Sequence, residues 1–186
     1  MISLSSRQAT AGLRWTRRRR GELTAELPPI LFVLFFLFVF PIMNLGTLAL
    51  RYALAATACR EGAHAASTAY TFETGSTGKP SALSSADTAA RDMAAKFSGI
   101  NVKNVDVDIL ITDIPSKAVT RSSGKLSSPA NTQKNLYALE TIVTADLSPL
   151  IMYSGPFLGN IAGITGPWTT TLRAREFAEN PQGLNQ

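Results

Sequence analysis

The residue types that most often carry enzymatic chemistry are scarce in this 186-residue chain, which has one histidine, His64, and one cysteine, Cys59. A single cysteine cannot form an internal disulfide or a thiolate metal cluster, and one histidine limits most hydrolytic schemes. The sequence has no H-E-x-x-H motif, phosphate-binding glycine loop or nucleophile–base pattern. We therefore predict a protein that is not an enzyme and that uses no cofactor.

Three aspartates, Asp106, Asp108 and Asp113, lie close enough in sequence to suggest a calcium site. Their spacing lacks the glycine and the closing glutamate of an EF-hand loop. Alternating acids are also ordinary on the solvent face of a strand. We predict no metal site here.

The positive charge of the chain is confined to its beginning. Six of the 18 basic residues and none of the 13 acidic residues precede Glu22, so that the remainder has a net charge of −1 against +5 for the whole chain. Basic residues that flank a hydrophobic segment indicate membrane topology rather than phosphate binding. The charge distribution predicts no nucleic-acid partner.

A run of 24 uncharged residues extends from Leu27 to Leu50. As a helix it would be about 36 Å long, enough to cross a hydrocarbon core of about 30 Å. Residues 30–40 are apolar on every face, whereas a globular helix keeps a polar stripe. The arginines before the run place the N-terminus in the cytoplasm and the C-terminal part across the membrane. Pro41 is expected to bend this transmembrane helix.

Glu26 stands at the entrance of this apolar run, where an unpaired carboxylate is unfavourable. The simplest explanation is that it interacts with the positive end of the helix dipole, which contributes about 0.3–1 kcal/mol. Its surroundings suggest a second explanation. Four arginines end at Gly21, and Glu26 follows Gly21 by five residues.

This arrangement resembles the processing site of type IV prepilins and pseudopilins, which have a basic leader, a glycine after which a prepilin peptidase cuts, and a glutamate at the fifth mature position. The resemblance implies cleavage between Gly21 and Glu22. It also implies that Glu26 pairs with the new amino terminus of a neighbouring subunit inside an apolar helix bundle. A buried charge pair fixes register, because a misplaced subunit leaves both charges unpaired.

Two further stretches, RYALAATACREGAHAAS after the apolar run and TLRARE near the end of the chain, point to a particular family of pilin-like proteins. Together with the leader they look like the TadE/TadG-like family, pseudopilin-type minor components of tight-adherence (Flp) pilus systems. Members usually carry several apolar residues before the first proline, whereas Pro28 and Pro29 follow Leu27 here. This departure keeps open an uncleaved anchor as the alternative.

Small residues continue the helix beyond the membrane at spacings of three and four, and they form one ridge at Ala55, Ala58, Gly62, Ala65 and Ala69. We expect this ridge to pack against neighbouring subunits and against the protein's own sheet.

Ala56–Ala58 also resembles a signal-peptidase site, and Cys59 resembles a lipoprotein site. The apolar run is too long for a signal core and ends well before both.

The remaining sequence predicts an extracytoplasmic domain. A linker (71–85) precedes a helix over residues 85–97, capped by Ser85 or Asp87. Alternating patterns predict strands in NVDVDILITD, NLYALETIVTADL and PWTTTLRARE, separated by a polar exposed loop (116–134) and an apolar stretch (148–166). The apolar stretch favours core packing, with docking on a partner or on the bilayer as the alternative.

The prediction is therefore an α+β protein: a long N-terminal transmembrane helix and a small pilin-like domain with an antiparallel sheet of about three strands and one or two helices. Residues 1–21 form the cytoplasmic leader, 22–69 the transmembrane helix and its Ala-rich extension, and 70–186 the domain. We expect a pseudopilin-like component of a Tad/Flp-type pilus or secretion apparatus in the bacterial inner membrane. Its expected partners are the membrane, pilin or pseudopilin subunits, pilus assembly proteins and a prepilin peptidase. The alternative is an uncleaved single-pass anchor whose outer domain binds a partner or ligand.

Overall fold

The structure is a computed structural model that describes residues 26–75, 79–153, 159 and 161–186. Within these residues, one helix, Glu26–Ser67, is long and apolar enough to cross a membrane by length and composition. This confirms the prediction of a transmembrane-capable helix near the N-terminus. The chain divides into two compact units, with the boundary between Met43 and Asn44.

The helix changes its hydrogen bonding shortly before Pro41. Helix α1 covers residues 26–34, a π-helical segment covers Phe35–Val39, and helix α2 covers Phe40–Ser67. The N–H of Phe40 donates to the carbonyl of Phe35, five residues back. Pro41 has no N–H, and its ring would clash with the carbonyl four residues earlier, so a wider turn at this place accommodates it.

In the described part of the chain, four antiparallel strands form one sheet in the order β2-β1-β3-β4, with β1 at Ile100–Asp113, β2 at Val119–Ser123, β3 at Asn135–Leu147 and β4 at Trp168–Phe177. The prediction of about three strands was too low. Strand β2 lies in the segment predicted to be a loop, and it pairs with residues 108–112 of β1. Its residues are mostly exposed and polar, so that no alternating pattern marks them.

Helix α3 covers Ala82–Ala95 and begins earlier than predicted. Its N-cap is Ser81, whose side-chain oxygen accepts a hydrogen bond from the N–H of Ser84. The predicted caps, Ser85 and Asp87, lie inside the helix. The buried face of α3 consists of alanines at four-residue spacing, Ala82, Ala86, Ala90 and Ala94.

The core lies between one face of the sheet and the two helices α2 and α3. From Asn44 onward α2 belongs to the same compact unit as the sheet. One cluster joins small residues of α2 and α3 to Val143, Ala145 and Leu147, and a second surrounds Phe72, Val107 and Ile109. Phe72 is fully buried although it lies in the segment predicted to be a linker.

Gly62 lies where α2 closely approaches both α3 and β3. A Cβ atom at this position would stand 3.2 Å from the carbonyl oxygen of Ala86 and 3.3 Å from the Cβ of Ala90. It would also stand 3.4 Å from the Cγ2 of Thr141. Even one added methyl group would require these neighbours to shift by a few tenths of an ångström, and a larger side chain would require more.

We predict that Gly62→Leu destabilises the fold by about 1–3 kcal/mol, because the added atoms overpack the junction of α2, α3 and β3. Thermal unfolding of the full chain in detergent measures the effect. The matched control is Gly46→Leu, also on α2, where an added Cβ has no neighbour within 4 Å. Equal melting temperatures for the two variants would contradict the close packing.

Candidate functional site

Glu26 is the first described residue, and its side chain is exposed. It lines a shallow apolar groove with Pro29, Ile30 and Val33, the helical neighbours at three, four and seven residues. The carboxylate therefore sits on an otherwise apolar helix face. The predicted cleavage residues Gly21 and Glu22 lie outside the described residues.

The predicted ridge of small residues lies partly in the core. Ala55, Ala58 and Gly62 are buried, and their partners are α3 and the sheet of the same chain. Ala65 and Ala69 are half-buried, and Ala69 follows the end of α2. Toward that end the buried stripe continues through Ala63 and Ala66.

The two residues with the most reactive side chains are not paired with each other. Cys59 is buried, and its thiol donates a hydrogen bond of 3.4 Å to the carbonyl of Thr141. His64 is exposed, and its Nδ1 lies 3.5 Å from a carboxylate oxygen of Glu176. The thiol of Cys59 therefore donates to a backbone carbonyl and not to the imidazole of His64, so the two residues do not form a nucleophile–base pair.

Each of the three aspartates considered for calcium is engaged by the protein. Asp108 pairs with Arg121, Asp106 accepts from the N–H of Val107, and Asp113 accepts from the N–H and hydroxyl of Ser116. The hydrogen bonds from Ser116 hold the pKa of Asp113 below its usual value. The described part of the chain contains no group of three or more histidine, cysteine or acidic residues able to hold a metal ion.

The second face of the sheet, opposite the core, carries a charged cluster that the sequence analysis missed. At its centre Glu140 on β3 is fully buried. Arg175 donates to its Oε1 at 2.6 Å, and Arg173 donates to its Oε2 at 3.1 Å. Arg121 from β2 also donates to Oε2. The three guanidinium groups thus cover the carboxylate and exclude water from it.

The register of the strands creates this cluster. Glu140 lies opposite Arg175 on β4 and opposite Asp108 on β1. Arg121 spans β1 to reach Glu140 and also contacts Asp108, with 3.3 Å between its Nη1 and the Oδ2. All four strands are therefore linked through two carboxylates and three guanidinium groups. The cluster has a net charge of +1, and its arginine side chains remain about half exposed.

Burial by itself would raise the pKa of Glu140. The hydrogen bond and charge of Arg175, together with Arg121 and Arg173, outweigh this effect and hold the pKa below its ordinary value. Glu140 is therefore ionised at neutral pH. Two sequence signals could have pointed to it: an acid inside an apolar strand, and arginines at alternate positions of β4.

No family model matches this chain, and no curated protein or solved structure is significantly similar to it.

We predict that Glu140→Gln lowers the free energy of unfolding of the full chain by about 2 kcal/mol at pH 7. This is less than the roughly 3–5 kcal/mol typical of a broken buried ion pair, because the arginines are partly exposed. A carboxylate with a lowered pKa stabilises the fold above its unfolded pKa of about 4.3. This contribution disappears as the pH falls through the lower pKa of the folded state. The difference between wild type and variant should therefore shrink below about pH 4.

Denaturant unfolding in detergent at several pH values measures this difference. The matched control is Glu61→Gln, an exposed acid on α2, which should unfold like the wild type throughout. A constant difference between wild type and Glu140→Gln at all pH values would contradict the electrostatic role of Glu140.

Proposed function

We propose that the protein is a pseudopilin-like structural or assembly component of a Tad/Flp-type pilus or secretion apparatus, anchored in the bacterial inner membrane. The observation that carries the proposal is Glu26, a carboxylate exposed on an apolar face of a membrane-length helix. Such a charge needs a cationic partner when the face around it is covered. A processed neighbouring subunit would supply that partner as its free amino terminus.

The exposed apolar surface of the helix supports the proposal that lipid or other helices cover it. Large apolar side chains are exposed from Leu27 to Phe38, including Ile30 at 64%, Phe32 at 71% and Phe35 at 62%. In water this surface would be strongly unfavourable, at roughly 25 cal/mol per Å². Lipid covers such a helix before assembly, and neighbouring helices would cover it within a filament.

The arginines of the leader support the expected orientation. They precede Glu26, and an excess of basic residues on one flank keeps that flank in the cytoplasm. The sheet domain would then lie on the extracytoplasmic side. Removal of the leader after Gly21 would expose the α-amino group of Glu22, four residues before the carboxylate of Glu26, with which the amino terminus of a neighbour would pair.

The second candidate function is that of an uncleaved anchor with a partner-binding domain. It is favoured by the charged face of the sheet, where Arg173 and Arg175 remain exposed over Glu140. Guanidinium groups are donors well suited to carboxylate or phosphate groups of a partner. The same face is compatible with a subunit contact in a filament.

The mature N-terminus distinguishes the two functions. We expect intact-mass spectrometry of the protein purified from membranes to show a chain that begins at Glu22. A chain that begins at Met1 would support the uncleaved anchor, and one that begins at Cys59 would support a secreted or lipid-modified product. The matched control is Gly21→Arg, which should keep the leader.

We expect Glu26→Ala to leave membrane insertion intact, because it removes a charge from an apolar helix. The variant should co-isolate less with other pilus components, because the amino terminus of a neighbour loses its partner. Membrane fractionation measures insertion, and affinity purification followed by mass spectrometry measures the recovery of partners. Glu61→Ala, which removes an exposed acid from α2, serves as the control, and equal recovery of partners from both variants would argue against pairing by Glu26.

A further inference from the structure

Asn44 is a polar residue inside the apolar run, and the structure accounts for it. Its side chain is only 2% exposed. Its Nδ2 donates to the carbonyl of Ile151 at 3.1 Å, and the N–H of Ile151 donates to its Oδ1 at 3.1 Å. The amide thus satisfies both backbone groups of one residue in the connection between β3 and β4. An unpaired amide or peptide group is strongly unfavourable in an apolar medium, so these two hydrogen bonds explain how the apolar run tolerates an amide side chain.

The connection fixed by Asn44 exposes apolar side chains. Leu150, Ile151, Met152 and Ile161 are 47%, 51%, 58% and 42% exposed, so the prediction that this stretch packs in the core is wrong for these residues. Leu45, next to Asn44 on α2, is also exposed. The sequence carries no charged residue from Leu147 to Leu172. We call these five exposed residues the apolar foot.

Several backbone N–H groups around the foot donate hydrogen bonds within the same connection. The N–H of Tyr153 donates to Ile164 at 3.1 Å, that of Gly163 to Gly166 at 2.8 Å, and that of Ile164 to Ile161 at 3.0 Å. The N–H of Ile161 donates to the hydroxyl of Thr165 at 2.7 Å. Irregular backbone is excluded from lipid mainly by unsatisfied polar groups, and these contacts remove part of that penalty.

Aromatic and basic residues mark one boundary of the foot. Tyr52 on α2 stacks on Trp168 at the start of β4, with ring centroids 5.9 Å apart. Arg51 donates to the carbonyls of Ser98 and Ser148. Tyrosine, tryptophan and arginine concentrate at the water-facing edge of a membrane. Arg51 stands seven residues from Asn44, about 10 Å along the helix.

We propose that the apolar foot is a second membrane contact, which rests in the extracytoplasmic interface of the bilayer while the aromatic pair lies at headgroup level. Lipid is the occupant that fits, because the foot is hydrogen-bonded to Asn44 of the apolar run, lies in a stretch without charged residues and ends at interfacial residues. The sheet domain would then be seated on the membrane and held at a set height, instead of moving on a free linker. This inference rests on the membrane anchoring in the proposed function and not on pilus assembly.

Fluorescence quenching by lipid tests the proposal. In the full chain with Cys59→Ala, single cysteines are introduced by Ile151→Cys, Leu37→Cys and Ile114→Cys and labelled with an environment-sensitive fluorophore. Each protein is reconstituted into phosphatidylcholine–phosphatidylglycerol vesicles with or without brominated acyl chains. Leu37 reports the transmembrane helix. Ile114 is an exposed apolar control beyond the far end of β1, which at 14 residues is about 45 Å long.

We expect brominated lipid to quench the labels at residues 151 and 37 and to leave the label at 114 unchanged. Quenching at 37 without quenching at 151, together with quenching of 151 by aqueous iodide, would overturn the membrane contact and leave the anchor intact. A label at 151 that neither quencher reaches would show a protein-covered surface, such as a second copy, and would also overturn it. Absence of quenching at 37 would contradict both the membrane anchoring of the helix and the membrane contact of the foot.

The variant Asn44→Leu tests whether the hydrogen bonds between Asn44 and Ile151, and not hydrophobicity alone, hold the foot in the membrane. This variant makes α2 more apolar but removes both hydrogen bonds to Ile151, so that lipid quenching at 151 should fall while that at 37 stays the same. Unchanged quenching at 151 would overturn the role of Asn44 in holding the foot.

Discussion

The close contact of α2 with α3 and the sheet is the constraint on which the rest of the structure depends. It is possible because the buried stripe of α2 consists mostly of small residues, with Gly62 closely approached by α3 and β3. Small side chains bury little apolar surface individually, but they let backbones approach and let larger residues such as Val143 and Leu147 fill the remaining space. The part of α2 from Asn44 to Ser67 belongs to the same compact unit as the sheet.

The two faces of the sheet are stabilised in different ways. The inner face packs against α2 and α3 through aliphatic residues. The outer face is organised around Glu140, whose burial is tolerable only because three arginines satisfy it. This cluster links β2 and β4, the two edge strands, through the central strands. A short and polar strand such as β2 needs such a link, because its own residues bury little surface.

Much of the fold was predictable because it depends on local periodicity. The uncharged run before Arg51, the alternation in β1, β3 and β4, and the small-residue spacing on α2 are all visible in the sequence. The start of α3 was placed too late, because several serines could serve as caps and only packing selected Ser81. Strand β2 was missed because its formation depends on pairing with residues 108–112 and not on its own composition.

The sequence by itself determined that the chain has a membrane-length helix near its N-terminus, where its basic charge lies, and that a mixed helix and strand domain follows. Length, hydropathy and charge order are properties of contiguous residues, and no tertiary contact is needed to establish them. Only the tertiary structure decided that Glu140 meets arginines 19, 33 and 35 residues away, and that Asn44 meets Ile151, 107 residues later. Those partners are selected by strand register and helix packing, which bring together residues whose separation in sequence carries no local signal.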